Sequence, residues 1–167
     1  MIKIKNTIDK VIRFLLVILL GGMTINVLWQ VFTRFVLQNP SSYTEELARY
    51  TLIWTGILGA AYVAGQKMHL AIDLLPTKLT GKRKIYLELI IQTAIIIFTI
   101  FVMIVGGLRL VNITFTLHQI SAALQIPLGY VYLVIPISGF IILFYSLFFM
   151  YEQINLLKTQ NSLKVKD

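Results

Sequence analysis

From Leu110 to Tyr151 this chain carries no charged side chain, and a second charge-free run extends from Phe14 to Thr33. About 20 apolar residues cross the hydrocarbon core of a bilayer, so the run from Phe14 holds one span and the run from Leu110 is too long for a single crossing. Composition points the same way. Of the 167 residues, 57% are hydrophobic and 13% charged, where a soluble domain is about half apolar and about a quarter charged. The expected class is an all-α membrane protein with four transmembrane helices in one integral membrane domain. The spans are placed at about 12–37, 45–66, 85–110 and 127–150, with a polar tail at 152–167 that is mobile or interfacial.

The first span follows a basic flank of Lys3, Lys5, Lys10 and Arg13, with Asp9 as the one acid. A secretory signal peptide also opens this way, but its apolar core runs about 7–15 residues to a small-residue cleavage site. Here the apolar run continues past Gly21-Gly22 into Val27-Leu-Trp29 without such a site, so it is read as a retained helix. Thr114, Thr116, His118, Gln119 and Ser121 divide the long run from Leu110, and Pro127 with Gly129 marks the start of the fourth span. Pro136 is expected to kink that span. Gly106-Gly107 marks a bend or a close contact near the end of the third.

Lysine and arginine concentrate in the amino-terminal flank, in the 67–84 connection ending Lys82-Arg-Lys84, and in the tail at Lys158, Lys164 and Lys166. The 38–44 connection has none, and the 110–126 connection has none past Arg109. Four spans with both termini cytoplasmic satisfy every segment at once. The net charge of +8 is thereby explained by topology, and no nucleic acid partner is expected. Between the second and third spans, His69 and Asp73 stand among Met68, Leu70, Ile72, Leu74 and Leu75, the pattern of a short segment lying in the membrane interface.

Two polar features stand out at the other ends of the first two spans. In Tyr43-Thr-Glu-Glu-Leu-Ala-Arg-Tyr50, Glu45 and Arg49 are four apart and Glu46 and Arg49 three apart, so both acids reach one guanidinium on a helix. Ser42, three before Glu45, fits a capping box, and acids in a first turn oppose the helix dipole. Three readings stay open: a well-capped helix entrance, a charged cluster bonding a neighbouring helix or a partner, or an ion or proton site. On the first span, Gly22, Asn26, Gln30 and Arg34 recur every four residues and form a polar edge, which joins this helix either to the chain's own helices or to another protein. Arg34 falls near the level of Glu45, Glu46 and Arg49, giving a cluster of zero net charge. Trp29 suits an aromatic belt. Gly56, Ala60 and Ala64, with Ala61 and Gly65, form a small-xxx-small packing surface on the second span.

Much chemistry is excluded. The chain has no cysteine, hence no thiolate metal site, disulfide or thiol redox centre. It has neither a G-x-x-x-x-G-K-[ST] loop nor an H-E-x-x-H motif. His69 and Asp73 are too few for a metal site, and His69 and His118 fall in connections on opposite sides. No acid sits mid-span, and no pair of Gly/Pro-broken spans marks a substrate site at the midplane. No cofactor, metal or catalytic residue is expected. A self-sufficient homo-oligomeric channel or small carrier would have only the Gly22-Asn26-Gln30-Arg34 edge to line its path.

Several segments, in order and spacing, resemble a known family. These are Trp29-Gln-Val-Phe-Thr-Arg-Phe35, Glu45-Glu-Leu-Ala-Arg49 leading to Trp54, Leu58-Gly-Ala-Ala61, His69 with Asp73-Leu74, and Ser121-Ala-Ala-Leu-Gln-Ile-Pro127. Together they are similar to the small permease subunit of tripartite ATP-independent periplasmic (TRAP) transporters, the DctQ-like family. The likeness covers nearly the whole chain. It departs in the middle connection, where Leu-Ala-Ile stands between His69 and Asp73 in place of a segment with a basic residue. The resemblance implies a four-span protein of the bacterial inner membrane, working with a large permease subunit and a periplasmic substrate-binding protein. Uptake of an organic acid such as a C4-dicarboxylate or sialic acid would draw on a sodium gradient. It further implies that Trp29, Gln30, Arg34, Glu45, Glu46 and Arg49 are structural or subunit-interface residues near the periplasmic side, with His69 and Asp73 near the cytoplasmic side, and that none is catalytic.

Overall fold

A computed structural model describes residues 2–39, 41–66 and 82–164. His69, Asp73 and the expected interfacial segment lie outside the described residues. Four helical rods run antiparallel. The first is α1 (Ile2–Phe35) and the second α2 (Ser42–Gly65). The third comprises α3 (Lys82–Phe98), a π-helical segment (Thr99–Gly106) and α4 (Gly107–Thr116). The fourth comprises α5 (Leu128–Tyr132) and α6 (Val134–Lys164). All four rods are long and apolar enough to cross a membrane, and no strand occurs among the described residues.

The fourth rod organises the packing. Of its most apolar stretch, 44% is buried, against 6% in the first and third rods and 17% in the second. Tyr145, Val134 and Ser138 on α6 are fully enclosed. Tyr145 and Phe149 meet Ile12 of α1, with Tyr62 of α2 and Leu16 packed alongside. Ile142 meets Ala61 and Ala64 of α2, with Met103 and Ile95 of the third rod around them. Elsewhere α1 and the third rod present apolar side chains outward, among them Phe14, Ile25, Phe35, Ile90 and Phe101. In lipid this exposure carries no hydrophobic penalty, because the tails are as apolar as leucine.

Glycines set how closely the rods approach. A methyl group on Gly65 of α2 would stand 2.6 Å from the Tyr145 ring. One on Gly107 would meet Ile135 and Pro136 at 3.0 Å, and one on Gly129 would meet the Phe115 ring at 2.5 Å. Gly22 and Gly56 have nothing within 4 Å. The small-residue surface of α2 therefore splits. Its Ala61–Ala64–Gly65 side packs inside the bundle, whereas Gly56 and Ala60 stay exposed. Likewise Gly22 brings no helix close to α1.

Of the two readings of Gly106-Gly107, a bend or a close contact, the structure shows the contact, at Gly107 against Ile135 and Pro136. The third rod widens into the π-helix from Thr99 and returns to α-helix at Gly107 without breaking. The fourth rod is interrupted at Leu133, three residues before Pro136, rather than at the proline. Proline lacks an N–H and its ring crowds the carbonyl four residues earlier, here Tyr132, the last residue of α5. At its other end α6 continues as helix to Lys164. Gln153 on it donates a hydrogen bond to Glu88 of α3, which ties this end of the helix to the third rod.

Candidate functional site

The polar groups gather at two ends of the bundle. At the basic end, Asp9 on α1 accepts hydrogen bonds from Lys5, at 2.7 Å, and from the enclosed Tyr145 hydroxyl. The Lys5 ammonium lies 5.7 Å from the centre of the Tyr145 ring, so a lysine, a carboxylate and a tyrosine lock the start of α1 to α6. Arg83 and Lys84 begin the third rod at this end, and Lys84 lies 4.0 Å from Glu88.

The opposite end holds the residues of the Tyr43–Tyr50 stretch, and there the two acids part company. Glu45 pairs with Arg49 at 3.5 Å, both side chains two-thirds exposed. Glu46 turns the other way, into the connection between the third and fourth rods. Its carboxylate accepts hydrogen bonds from three successive backbone N–H groups: Ala122 at 3.1 Å, Ala123 at 2.8 Å and Leu124 at 2.8 Å. The Tyr50 hydroxyl adds a fourth at 2.6 Å. The expectation that both acids share Arg49 is thus corrected. Three successive amides converge on one carboxylate, an arrangement that favours an anion, whereas the Arg49 guanidinium already faces Glu45.

The connection is shaped to present those amides. Leu128 N–H bonds Gln119 C=O, Ser121 N–H bonds Ile126 C=O, and the Ser121 hydroxyl accepts from Ile126 N–H. Gln125 takes a left-handed backbone at φ 55° and its amide caps Ala122 C=O. A short closed loop results, with Ala122 to Leu124 across its mouth. Sequence reading quoted this segment without joining it to Glu46. The one visible signal was the run of small residues Ser121-Ala-Ala ahead of a proline, which leaves backbone donors uncovered.

The entrance to α2 differs from a capping box. The helix starts at Ser42 itself, Ser41 occupies the N-cap position with extended backbone, and no side chain caps it. Thr44 instead bonds back to Ser41 C=O at 2.8 Å, and the Ser41 hydroxyl is buried without a partner. Thr44 C=O accepts from the Asn26 amide at 2.7 Å, so that part of the polar edge on α1 is used within the chain. Gln30 and Arg34 continue the edge into a cleft of about 360 Å³, closed on the other side by Ser41, Ser42 and Glu45. Trp29 is half exposed beside Phe32, ring centres 5.9 Å apart. Trp54, with Leu47, Tyr50 and Tyr130, lines a separate groove of about 260 Å³.

Of the residues singled out from sequence, the structure brings Gln30, Arg34 and Glu45 around one cleft, joins Glu45 to Arg49, and sends Glu46 elsewhere. No group of three or more His, Asp or Glu suited to a metal occurs among the described residues. What remains is a membrane-embedded bundle whose polar side chains fasten helix to helix. A family model described as the DctQ component of tripartite ATP-independent periplasmic transporters matches residues 23–156. The chain belongs to this family, a transport component of the bacterial inner membrane and not an enzyme.

Curated relatives agree. A sialic acid TRAP transporter small permease protein, SiaQ, of Vibrio cholerae is 32% identical over 96 residues, 57% of this chain and 53% of the relative. The match thus spans about half the length of that protein. Two Haemophilus influenzae proteins named as TRAP transporter small permeases are each 26% identical. One matches over 81% of this chain and 82% of its own, the other over 89% and 88%.

Proposed function

We propose that this chain is the fixed scaffold of a three-part uptake system. A large permease subunit carries the substrate and sodium sites and moves, a periplasmic binding protein delivers an organic acid, and the small subunit holds the moving part in place. Both termini face the cytoplasm, as the basic end requires, which puts the Glu46 end at the periplasmic side. The observation that carries this reading is that the polar groups joining α1, α2 and the 119–128 loop are committed to one another. Asn26 is committed to Thr44 and Glu46 to residues 122–124, and neither is left to line a pore. That also disfavours a self-sufficient homo-oligomeric channel. The exposed Trp29, Glu45 and Arg49 are partner contacts, Gln30 and Arg34 belong to the same rim, and Glu46 is structural. A substrate of the C4-dicarboxylate or sialic acid type follows from the family, with sialic acid favoured by the Vibrio cholerae relative's name.

Mild-detergent purification of the tagged chain from its native membrane tests this. A large polytopic protein recovered one-to-one supports the scaffold reading. Recovery of this chain alone as a stable homo-oligomer overturns it.

A further inference from the structure

The cleft between the end of α1 and the start of α2 combines features that no packing role consumes. Arg34 on one wall forms no ion pair among the described residues, its guanidinium lying instead 5.8 Å from the ring of neighbouring Phe35. Glu45 on the other wall has only the exposed Arg49 as partner. The two opposite charges face one space and do not neutralise each other across it. The first N–H groups of α2 open toward this end with no side-chain cap, and the Ser41 hydroxyl is buried there unbonded. Uncapped amides at a helix start favour an anionic oxygen, phosphate above all.

We propose that this cleft binds the headgroup of a zwitterionic phospholipid, with the phosphate held by Arg34, Ser41 and the first turn of α2, and a primary ammonium held by Glu45 and Gln30. A purely anionic ligand would meet Glu45, and a purely cationic one would meet Arg34 and the positive end of α2. A ligand bearing both charges satisfies both walls. The volume, about 360 Å³, falls in the range of about 300–1,000 Å³ common to small-ligand sites. A lipid is favoured over a soluble zwitterion by position. The cleft lies where two bilayer-length helices end, and α1, which bears Arg34, carries the exposed apolar side chains of Trp29 and Phe32 closer to its middle, a surface for acyl chains.

The inference does not depend on the transport role, because lipid retention is read on the purified full chain whether or not a large subunit accompanies it. The full-length protein is equilibrated in mixed micelles with equal phosphatidylethanolamine, phosphatidylcholine and phosphatidylglycerol, and retained lipid is counted by native mass spectrometry. Phosphatidylethanolamine should exceed phosphatidylglycerol at least threefold. Glu45→Gln should bring that ratio to near one and Arg34→Gln should lower retention of both lipids at least threefold, while Lys10→Gln at the basic end leaves ratio and retention intact. Ser42→Trp, which fills the cleft and keeps both charges, should abolish retention. Unchanged thermal unfolding identifies the variants that fold. The proposal fails if wild-type protein shows no headgroup preference, if folded Glu45→Gln keeps it, if folded Arg34→Gln retains lipid as wild type does, or if the cleft is protected by a co-purifying peptide chain in place of lipid.

Discussion

Glu46 shows how far one side chain reaches in this fold. It sits one turn into α2, yet its carboxylate organises a loop more than seventy residues away in sequence. Removing it would leave three backbone N–H groups without the carboxylate that gathers them, and unsatisfied donors are costly where water does not replace the lost partner. Glu46→Ala should lower the thermal midpoint in detergent by several degrees, and Glu46→Gln by less, because an amide keeps one accepting oxygen but loses the charge. Faster protease cleavage between residues 118 and 127 in Glu46→Ala, with the rest of the chain protected, would locate the damage. Equal stability of all three proteins would show that the loop holds itself. The destination of Glu46 was illegible in the sequence for a physical reason. Its partners are backbone amides, which every residue but proline possesses, so Ala122, Ala123 and Leu124 carry no side-chain mark of the role. Arg49 was a visible partner at helical spacing and drew both acids on paper. The Asp9–Tyr145 bond hid similarly, inside a flank that reads as topological charge.

At the scale of elements, the spans were legible because charge-free length is a one-dimensional property, and a bilayer imposes it directly. Which faces touch was not. Gly56–Ala60 and Ala61–Gly65 look equivalent on a helix, and the side chains of Ile142 and Tyr145 across the bundle decide between them. This makes a paired prediction. Gly65→Ala forces the Tyr145 ring to move and should destabilise by about 1–3 kcal/mol, the cost of overpacking. Gly22→Ala adds a methyl to open space and should be neutral or stabilising by up to about 1 kcal/mol, through better helix propensity. Unfolding of both variants in one detergent, read by circular dichroism, checks the contrast. A loss of stability in Gly22→Ala larger than in Gly65→Ala would mean that the α2–α6 contact is misplaced. The break at Leu133 was half legible. Pro136 announces a disturbance, but its location one turn earlier follows from the clash with Tyr132 C=O.

For the molecule as a whole, packing concentrates on one rod and leaves the others largely bare, the arrangement expected of a subunit that completes itself in an assembly. The exposed Glu45–Arg49 pair belongs to that scale. An ion pair so open contributes about 0–1 kcal/mol to its own fold, so Arg49→Ala should scarcely move the thermal midpoint. It should instead reduce recovery of the large subunit severalfold in a pull-down, leaving the sodium dependence of whatever uptake remains unchanged. An Arg49→Ala variant that assembles normally yet loses sodium dependence would contradict the scaffold role. The dominance of α6 also bears on how the protein is made. Synthesis proceeds from the amino terminus, so α1, α2 and the third rod enter the membrane before the helix that joins them exists. Until Tyr145 emerges, Asp9 lacks its tyrosine partner and Gly65 faces a void. Before that, α1 and α2 can pair through Asn26 and Thr44, while the third rod lacks the helix it packs on. Chains ending after Thr116 should insert but be cleared by membrane quality control, which a pulse-chase comparison of truncated and complete chains would reveal as a shortened lifetime.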